Sequence, residues 1–263
     1  MAQATLPAIG TFCWPELATT DLKAAQAFYG DLLGWRAREV PSSMGNYAIF
    51  SLGDRQAAGL CAQGEEQLKH GVPPNWLSYV SVTSADATAA KARELGAQIL
   101  AGPFDVMEEG RMAVIQDPAG AVFAIWQPRN HKGASAYMEP GAFCWTELAT
   151  TDAQAAQAFY PQIFGWTAKP PSDPAMPYFE WVLEGTHFGG MMEITEHWGP
   201  AWKEIPSHWM IYFMVKDVDE RTAQAQALGA TIRVPPRDIP KVGRFAVIAD
   251  PQGAVFSLFQ GTL

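Results

Sequence analysis

Gly10-Thr-Phe-Cys-Trp-Pro-Glu-Leu-Ala-Thr-Thr-Asp21 returns 131 positions later as Gly141-Ala-Phe-Cys-Trp-Thr-Glu-Leu-Ala-Thr-Thr-Asp152. The match runs on through Ala24-Ala-Gln-Ala-Phe-Tyr29 against Ala155-Ala-Gln-Ala-Phe-Tyr160, and Gly34-Trp35 against Gly165-Trp166. Residues 10–35 and 141–166 share 18 identities in 26. Further on, Gly110-Arg-Met-Ala-Val-Ile-Gln-Asp-Pro-Ala-Gly-Ala-Val-Phe123 matches Gly243-Arg-Phe-Ala-Val-Ile-Ala-Asp-Pro-Gln-Gly-Ala-Val-Phe256 at an offset of 133, so two residues entered the poorly matching middle. Self-similarity over such a period marks a duplicated unit. The expected organisation is a first domain over 1–128, a linker over 129–140 and a second domain over 141–263. Pro128-Arg-Asn-His-Lys-Gly-Ala-Ser135 lacks periodicity and reads as connector.

Within a copy the hydrophobic period alternates between two and 3.6. Phe12 to Ala18 reads as a strand, and Asp21 (or Thr20) is placed to cap a helix over 22–33 whose Leu22, Ala25, Phe28, Tyr29 and Leu32 share a face. Gly34 closes it as a C′ glycine. Strands follow near 36–40, 47–52 and 57–62. The order then repeats: strand 76–82, helix 85–95 stopped by Gly96, and strands near 98–100, 111–116 and 121–127, with Asp117-Pro-Ala-Gly120 as the last turn. Each copy therefore reads as two βαβββ units. Phe28, Trp35, Phe159 and Trp166 read as core beneath the helices. Cys13 and Cys144 are expected opposite Trp14 and Trp145 on a period-two strand, as small apolar fillers.

The composition narrows the function. The chain has 263 residues, 48 % of them hydrophobic and 17 % charged, enough apolar material for sizeable cores. Eighteen Lys+Arg against 27 Asp+Glu leave a net charge of −9, which argues against nucleic acid or an anionic membrane as partner. Three cysteines make no disulfide framework, and no signal peptide or membrane-length apolar run is visible, so a cytoplasmic location is expected. No Walker loop, G-x-G-x-x-G or nucleophile elbow is present. Ten tryptophans direct attention to aromatic-lined cavities.

The repeated unit has Thr19-Thr-Asp21 before a helix carrying Ala27-Phe-Tyr29 and ending Leu33-Gly-Trp35. Together with the closing Asp117-Pro-Ala-Gly-Ala-Val-Phe123 hairpin it resembles the vicinal oxygen chelate superfamily. That superfamily includes glyoxalase I, bleomycin-resistance proteins and extradiol dioxygenases. The resemblance spans nearly the whole chain. It implies an α+β fold in which two βαβββ units curl a mixed sheet into one cup, hence two cups here. It also implies a divalent metal held by His, Gln or Glu on the cup strands. The positions it points to are Trp14 and Ala124, with Gly59 or Leu60 and Leu77, in the first copy. In the second they are Trp145 and Ser257, with Gly190 or Met191 and Met210. None of these is a ligand for a hard or borderline cation, so no metal site and no cofactor are expected. The five histidines have no counterparts between copies. His187, Glu193, His197 and His208 fall within about twenty residues and read as loop histidines or as a nonstandard site in the second copy.

Strand alternation puts Glu16 in the same cup as Trp14, and Glu147 in that of Trp145. A carboxyl in an aromatic cup is a candidate general base or hydrogen-bond acceptor, or else half of a structural ion pair. Symmetric pairing across the Asp117-Pro-Ala-Gly120 turn would set Ala124 opposite Ala113 and Trp126 opposite Arg111. In the second copy it would set Ser257 opposite Ala246 and Phe259 opposite Arg244. The expected ligand-binding set is thus Trp14, Arg111 and Trp126 in one cup and Trp145, Arg244 and Phe259 in the other, with Glu16 and Glu147 as candidate catalytic residues. Such a cup suits a small aromatic or carbonyl-bearing molecule. Three readings stay open: a metal-independent binding protein, a glyoxalase-like lyase or isomerase or a dioxygenase-related enzyme, and a non-catalytic structural duplicate. A monomer or a homodimer is compatible with four units.

Overall fold

The computed structural model describes residues 8–42, 45–171, 177–195 and 205–262. In the first copy the order is β1 (Phe12–Thr19), α1 (Leu22–Leu33), β2 (Arg36–Val40), β3 (Tyr47–Leu52), β4 (Arg55–Ala62), α2 (Glu65–Lys69), β5 (Asn75–Ser81), α3 (Ala85–Glu94), β6 (Gln98–Val106), β7 (Gly110–Gln116) and β8 (Val122–Pro128). The second copy gives β9 (Phe143–Thr150), α4 (Ala153–Phe164), β10 (Thr167–Lys169), β11 (Tyr178–Leu183), β12 (Thr186–Glu193), β13 (His208–Met214), α5 (Val218–Ala227), β14 (Thr231–Ile239), β15 (Gly243–Ala249) and β16 (Val255–Gly261). Among the described residues no helix is long and apolar enough to cross a membrane.

Each copy makes one eight-stranded mixed sheet, ordered β2-β3-β4-β1-β5-β8-β7-β6 and β10-β11-β12-β9-β13-β16-β15-β14. This is the expected βαβββ pair, twice. Local chemistry explains the helices. Asp21 accepts from the Ala24 amide and Asp152 from the Ala155 amide, satisfying N-terminal donors that would otherwise face only water. Gly34 and Gly165 end the helices at φ 75° and 74°, a region that penalises any residue with a Cβ. Short α2 went unforeseen, and β6 extends well beyond the expected 98–100.

One face of each sheet carries its helices, and these two faces meet in one continuous core. Phe12 packs on Trp166, Phe188 and Trp209 of the other copy, and Trp35 packs on Phe213. The repeated motifs interlock across this junction. The Tyr29 hydroxyl donates to Asp250 at 2.9 Å while accepting from Trp76 Nε1 at 3.0 Å. In the mirror arrangement Tyr160 donates to Asp117 at 2.8 Å and accepts from Trp209 at 2.9 Å. Trp35 Nε1 donates to the Gly141 carbonyl and Trp166 Nε1 to the Gly10 carbonyl, at 2.6 and 2.5 Å. Phe28, Trp35, Phe159 and Trp166 are core, as their helical spacing suggests. With the helices inward, the opposite face of each sheet, the expected cup side, points away from this core. The segment after β8 crosses one end of the first sheet before it reaches β9.

Candidate functional site

The cup face of the first sheet collects Trp14 and Glu16 from β1, Tyr47 and Ile49 from β3, and Leu77 and Tyr79 from β5. Met112 and Val114 from β7 and Ala124 and Trp126 from β8 complete it. Its polar centre is Glu16. One carboxylate oxygen accepts from the Tyr79 hydroxyl at 2.6 Å, the other from Tyr47 at 2.8 Å, and Tyr47 accepts in turn from Trp14 Nε1 at 3.3 Å. The cluster recurs in the second cup. Tyr212 donates to Glu147 at 2.9 Å, the Tyr178 hydroxyl also bonds that carboxyl, and Trp145 Nε1 donates to Tyr178 at 2.9 Å. Gly59, paired with Glu16 on the neighbouring strand, leaves the room this needs, because a Cβ there would collide with the Tyr47 hydroxyl and Trp14 Nε1. Gly190 does the same beneath Tyr178.

Burial is the dominant influence on both carboxyls and raises the Glu16 and Glu147 pKa values, with the phenol hydrogen bonds pulling weakly the other way. The four tyrosines are pushed well above their usual range by burial and by the neighbouring carboxyl. They are hydrogen-bond donors and not phenolates. A carboxyl biased toward its uncharged form gains an O–H donor of its own. The cluster can therefore hold a carbonyl or hydroxyl oxygen, or pass a proton to it.

The arginines lie elsewhere, which corrects the expected ligand set. β7 and β8 pair Arg111 with Gln127 and Met112 with Trp126, one residue away from the symmetric register. The turn holds five residues, 117–121, because the Asp117 amide bonds the Ala121 carbonyl and Asp117 Oδ1 accepts from the Ala119 and Ala121 amides. A one-residue slip moves a side chain to the opposite face. Arg111 thus lies on the helix side, bonded to Asp86 at 2.7 and 2.9 Å and to Asp105 at 3.0 Å. Arg244 likewise pairs with Gln260 in register and bonds Asp219 and Asp238. Neither arginine neutralises Glu16 or Glu147, whose partners are the tyrosine pairs. Trp126 and Phe259 remain on the cup faces. The tyrosines were missed, although Tyr47/Tyr178 and Tyr79/Tyr212 repeat at the same offsets as the motifs on either side of the insertion and so were findable.

Cys13 departs from its expected place as well. The β1–β5 pairing shifts register between Phe12 and Trp14, and this bulge turns Cys13 to the cup side with Trp14. β9 and β13 shift at the equivalent point, and Cys144 donates from Sγ to the Tyr212 carbonyl.

The cups differ in what covers them. In the first, the Ala134 amide donates to the Cys13 carbonyl at 2.7 Å, and the Ser135 and Ala136 amides both donate to the Gln56 carbonyl. This strap carries the His131 ring to 4.4 Å from the Trp14 ring, edge-on. The second cup substitutes Glu180 for Ile49, His208 for Asn75, Met210 for Leu77, Ser257 for Ala124 and Phe259 for Trp126. Trp14 and Trp126 are buried, whereas Trp145 and Phe259 are partly exposed. Surface clefts of about 320 and 250 Å³ lie mainly outside the cups, at the C-terminal end of α1 and between α1 and β2–β3. What distinguishes the cups is their lining rather than empty volume.

The donor set does not fit a divalent cation of the kind the resemblance implies. Each sheet centre offers one carboxyl, already accepting from two phenols, beside Trp, Leu or Met, Gly, and Ala or Ser, and the second cup's further carboxyl, Glu180, is engaged by His187. Among the described residues no group of three or more His, Cys, Asp or Glu could hold a metal ion. His187 pairs with Glu180 and His208 Nδ1 bonds the Pro206 carbonyl, while His197 lies outside the described residues.

A sequence model described as the Glyoxalase/Bleomycin resistance protein/Dioxygenase superfamily matches residues 10–125 and 142–258. Over 254 residues, 95 % of each chain, the sequence is 37 % identical to a Mycobacterium tuberculosis protein carrying the name glyoxylase CFP32. Over 267 residues it is 32 % identical to the anthracycline biosynthesis protein DnrV of Streptomyces peucetius, covering 95 % of this chain and 93 % of that one. The Mn(II)-bound glyoxalase of Novosphingobium aromaticivorans superposes with a TM-score of 0.65 at 16 % identity, over 96 % of this chain and 82 % of that chain. The 2,3-dioxygenase LapB of Pseudomonas sp. KL28 gives 0.63 at 12 % identity, over 98 % and 94 %. At such identities the two structures show the shared fold alone.

Proposed function

This chain belongs to the glyoxalase/bleomycin resistance protein/dioxygenase superfamily, and we propose that it binds a small planar aromatic or carbonyl-bearing molecule without a metal, in its second cup. The observation that carries this reading is Glu147, a half-buried carboxyl held by Tyr178 and Tyr212 beside the partly exposed Trp145. Indole and phenyl faces supply contact area, and the carboxyl–phenol group supplies one oriented hydrogen bond to an oxygen. Indole, thioether and small side chains where the family would hold its cation support binding without Lewis acidity.

The test is calorimetric titration of the intact protein with 4-hydroxyacetophenone. 1,8-Dihydroxyanthraquinone joins the panel because one relative is named for anthracycline biosynthesis. Saturable binding weakened about tenfold by Glu147→Gln, the loss of one charge-assisted or acid hydrogen bond, is the expected result. Absence of binding across a panel of aromatic ketones, aldehydes and quinones would overturn the reading. Elemental analysis should find divalent metal well below one equivalent per copy.

A second reading follows from the same carboxyl. A carboxyl whose proton affinity is raised by burial is suited to take up and return a proton, as a metal-free lyase or isomerase of 2-oxoaldehyde–thiol adducts would require. Turnover of such an adduct that is abolished by Glu16→Gln with Glu147→Gln supports it, and unchanged turnover removes it.

A further inference from the structure

The segment between the copies does more than join them. From β8 it first extends the β7–β8 hairpin, the Arg129 and His131 amides both donating to the Glu109 carbonyl. It then crosses the start of β1, where Ala134 bonds Cys13, and reaches the start of β4, where Gln56 receives Ser135 and Ala136. Gly133 sits so close to β1, at φ +109°, that a Cβ would meet the Cys13 carbonyl oxygen and Cβ. The strap is seated at backbone contact distance.

What it delivers into the cup is a planar ring and a carbonyl. The His131 imidazole lies edge-on to Trp14 at 4.4 Å and to Trp126 at 5.7 Å, and the His131 carbonyl accepts from Trp126 Nε1 at 2.9 Å. Tyr79 completes the wall with its ring 6.4 Å from that of Trp126. His131 Nε2 is buried and has no hydrogen-bond partner among the described residues. A buried, unpaired ring nitrogen is costly, so what holds the imidazole in place is its packing on the Trp14 and Trp126 rings and the strap's backbone bonds. Trp145 has no such ring neighbour among the described residues.

We propose that the first cup is a binding site for an uncharged, planar heteroaromatic ring bearing a hydrogen-bond acceptor, and that His131 is its built-in occupant. The proposal rests on the reading of these cups as ligand sites and extends it to the cup that the chain fills itself. A free ligand of this class competes with the strap. Its apparent affinity is held low, because the tethered imidazole competes as if present at high local concentration.

The experiment removes the occupant and offers it back. Full-length His131→Gly is titrated with 4-methylimidazole at pH 9, where the free ring is almost wholly uncharged, and followed by thermal shift and indole difference absorbance. Expected are saturable binding in the millimolar range, recovery of most of the lost melting temperature, and at least tenfold weaker binding to the wild type. Adding Trp14→Leu to the variant abolishes the rescue, and 1,3-dimethylimidazolium, permanently cationic, does not bind. Gly133→Ala, which pushes the strap off β1 while keeping His131, serves as the second variant and should also gain the site. Absence of binding in both, equal binding to wild type, or equal rescue by the cation overturns the proposal. The outcome is independent of the second cup: failure here leaves Trp145-dependent ketone binding untouched, and failure there leaves this rescue untouched.

Discussion

Trp14 and Trp145 occupy equivalent places in the two copies and live in different surroundings. Both donate to a tyrosine that bonds a half-buried glutamate. Trp14 is also covered by a strap and by His131, while Trp145 remains partly exposed. The interlock of Tyr29 with Asp250 and Tyr160 with Asp117 is the same on both sides. Duplication has thus kept the joint and the polar cluster and changed what lies over them. Differences between copies on a common scaffold are where separate roles arise.

The largest effect expected from this asymmetry is on stability. Trp14→Ala removes a buried ring with packed neighbours on every side and should cost about 3–5 kcal/mol. Trp145→Ala should cost about 1–2 kcal/mol, since less area leaves water there on folding. Denaturant unfolding of both variants reads the difference, and equal losses would remove the distinction between the cups.

Acid should single out the first cup next. Burial lowers the His131 pKa from its ordinary 6.5 to about 4. The unfolded chain then binds the proton more readily than the folded one between those values, so stability falls as pH drops from about 6.5 to about 4. The loss is on the order of 2 kcal/mol, and His131→Phe should flatten that part of the profile.

Glu16 and Glu147 work in the opposite direction and in both cups alike. Their raised pKa values favour protonation in the folded state, so their contribution is greatest at low pH and is lost as pH rises through the folded values. Glu16→Gln and Glu147→Gln should each gain stability at pH 8 relative to pH 4, compared with wild type, in denaturant unfolding at the two pH values. A slope altered by only one of them would show that the clusters are not equivalent. The smallest effect is assigned to Arg111→Gln and Arg244→Gln. Their ion pairs lie outside the cups, so titration with 4-hydroxyacetophenone should give unchanged affinity.

The helices, their caps and the packed aromatics were legible because local spacing determines them: Asp21, Gly34 and the Ala25, Phe28, Tyr29, Leu32 face are read directly from the chain. Glu16 and Glu147 were legible from strand alternation. The position of Arg111 was not, since it depends on whether Ala121 belongs to the turn or to β8, and a single hydrogen bond from the Asp117 amide decides that. Cys13 escaped because a bulge breaks the period of two. The strap escaped for a different reason. Its bonds to Cys13 and Gln56 join positions far apart in the chain, and no local pattern encodes them.

The most direct test of an open second cup beside a self-filled first one is the stoichiometry of 4-hydroxyacetophenone binding by calorimetry. One equivalent per chain is predicted, lost in Trp145→Leu and retained in Trp14→Phe. Two equivalents in the wild type, or loss of binding in Trp14→Phe with retention in Trp145→Leu, would contradict it.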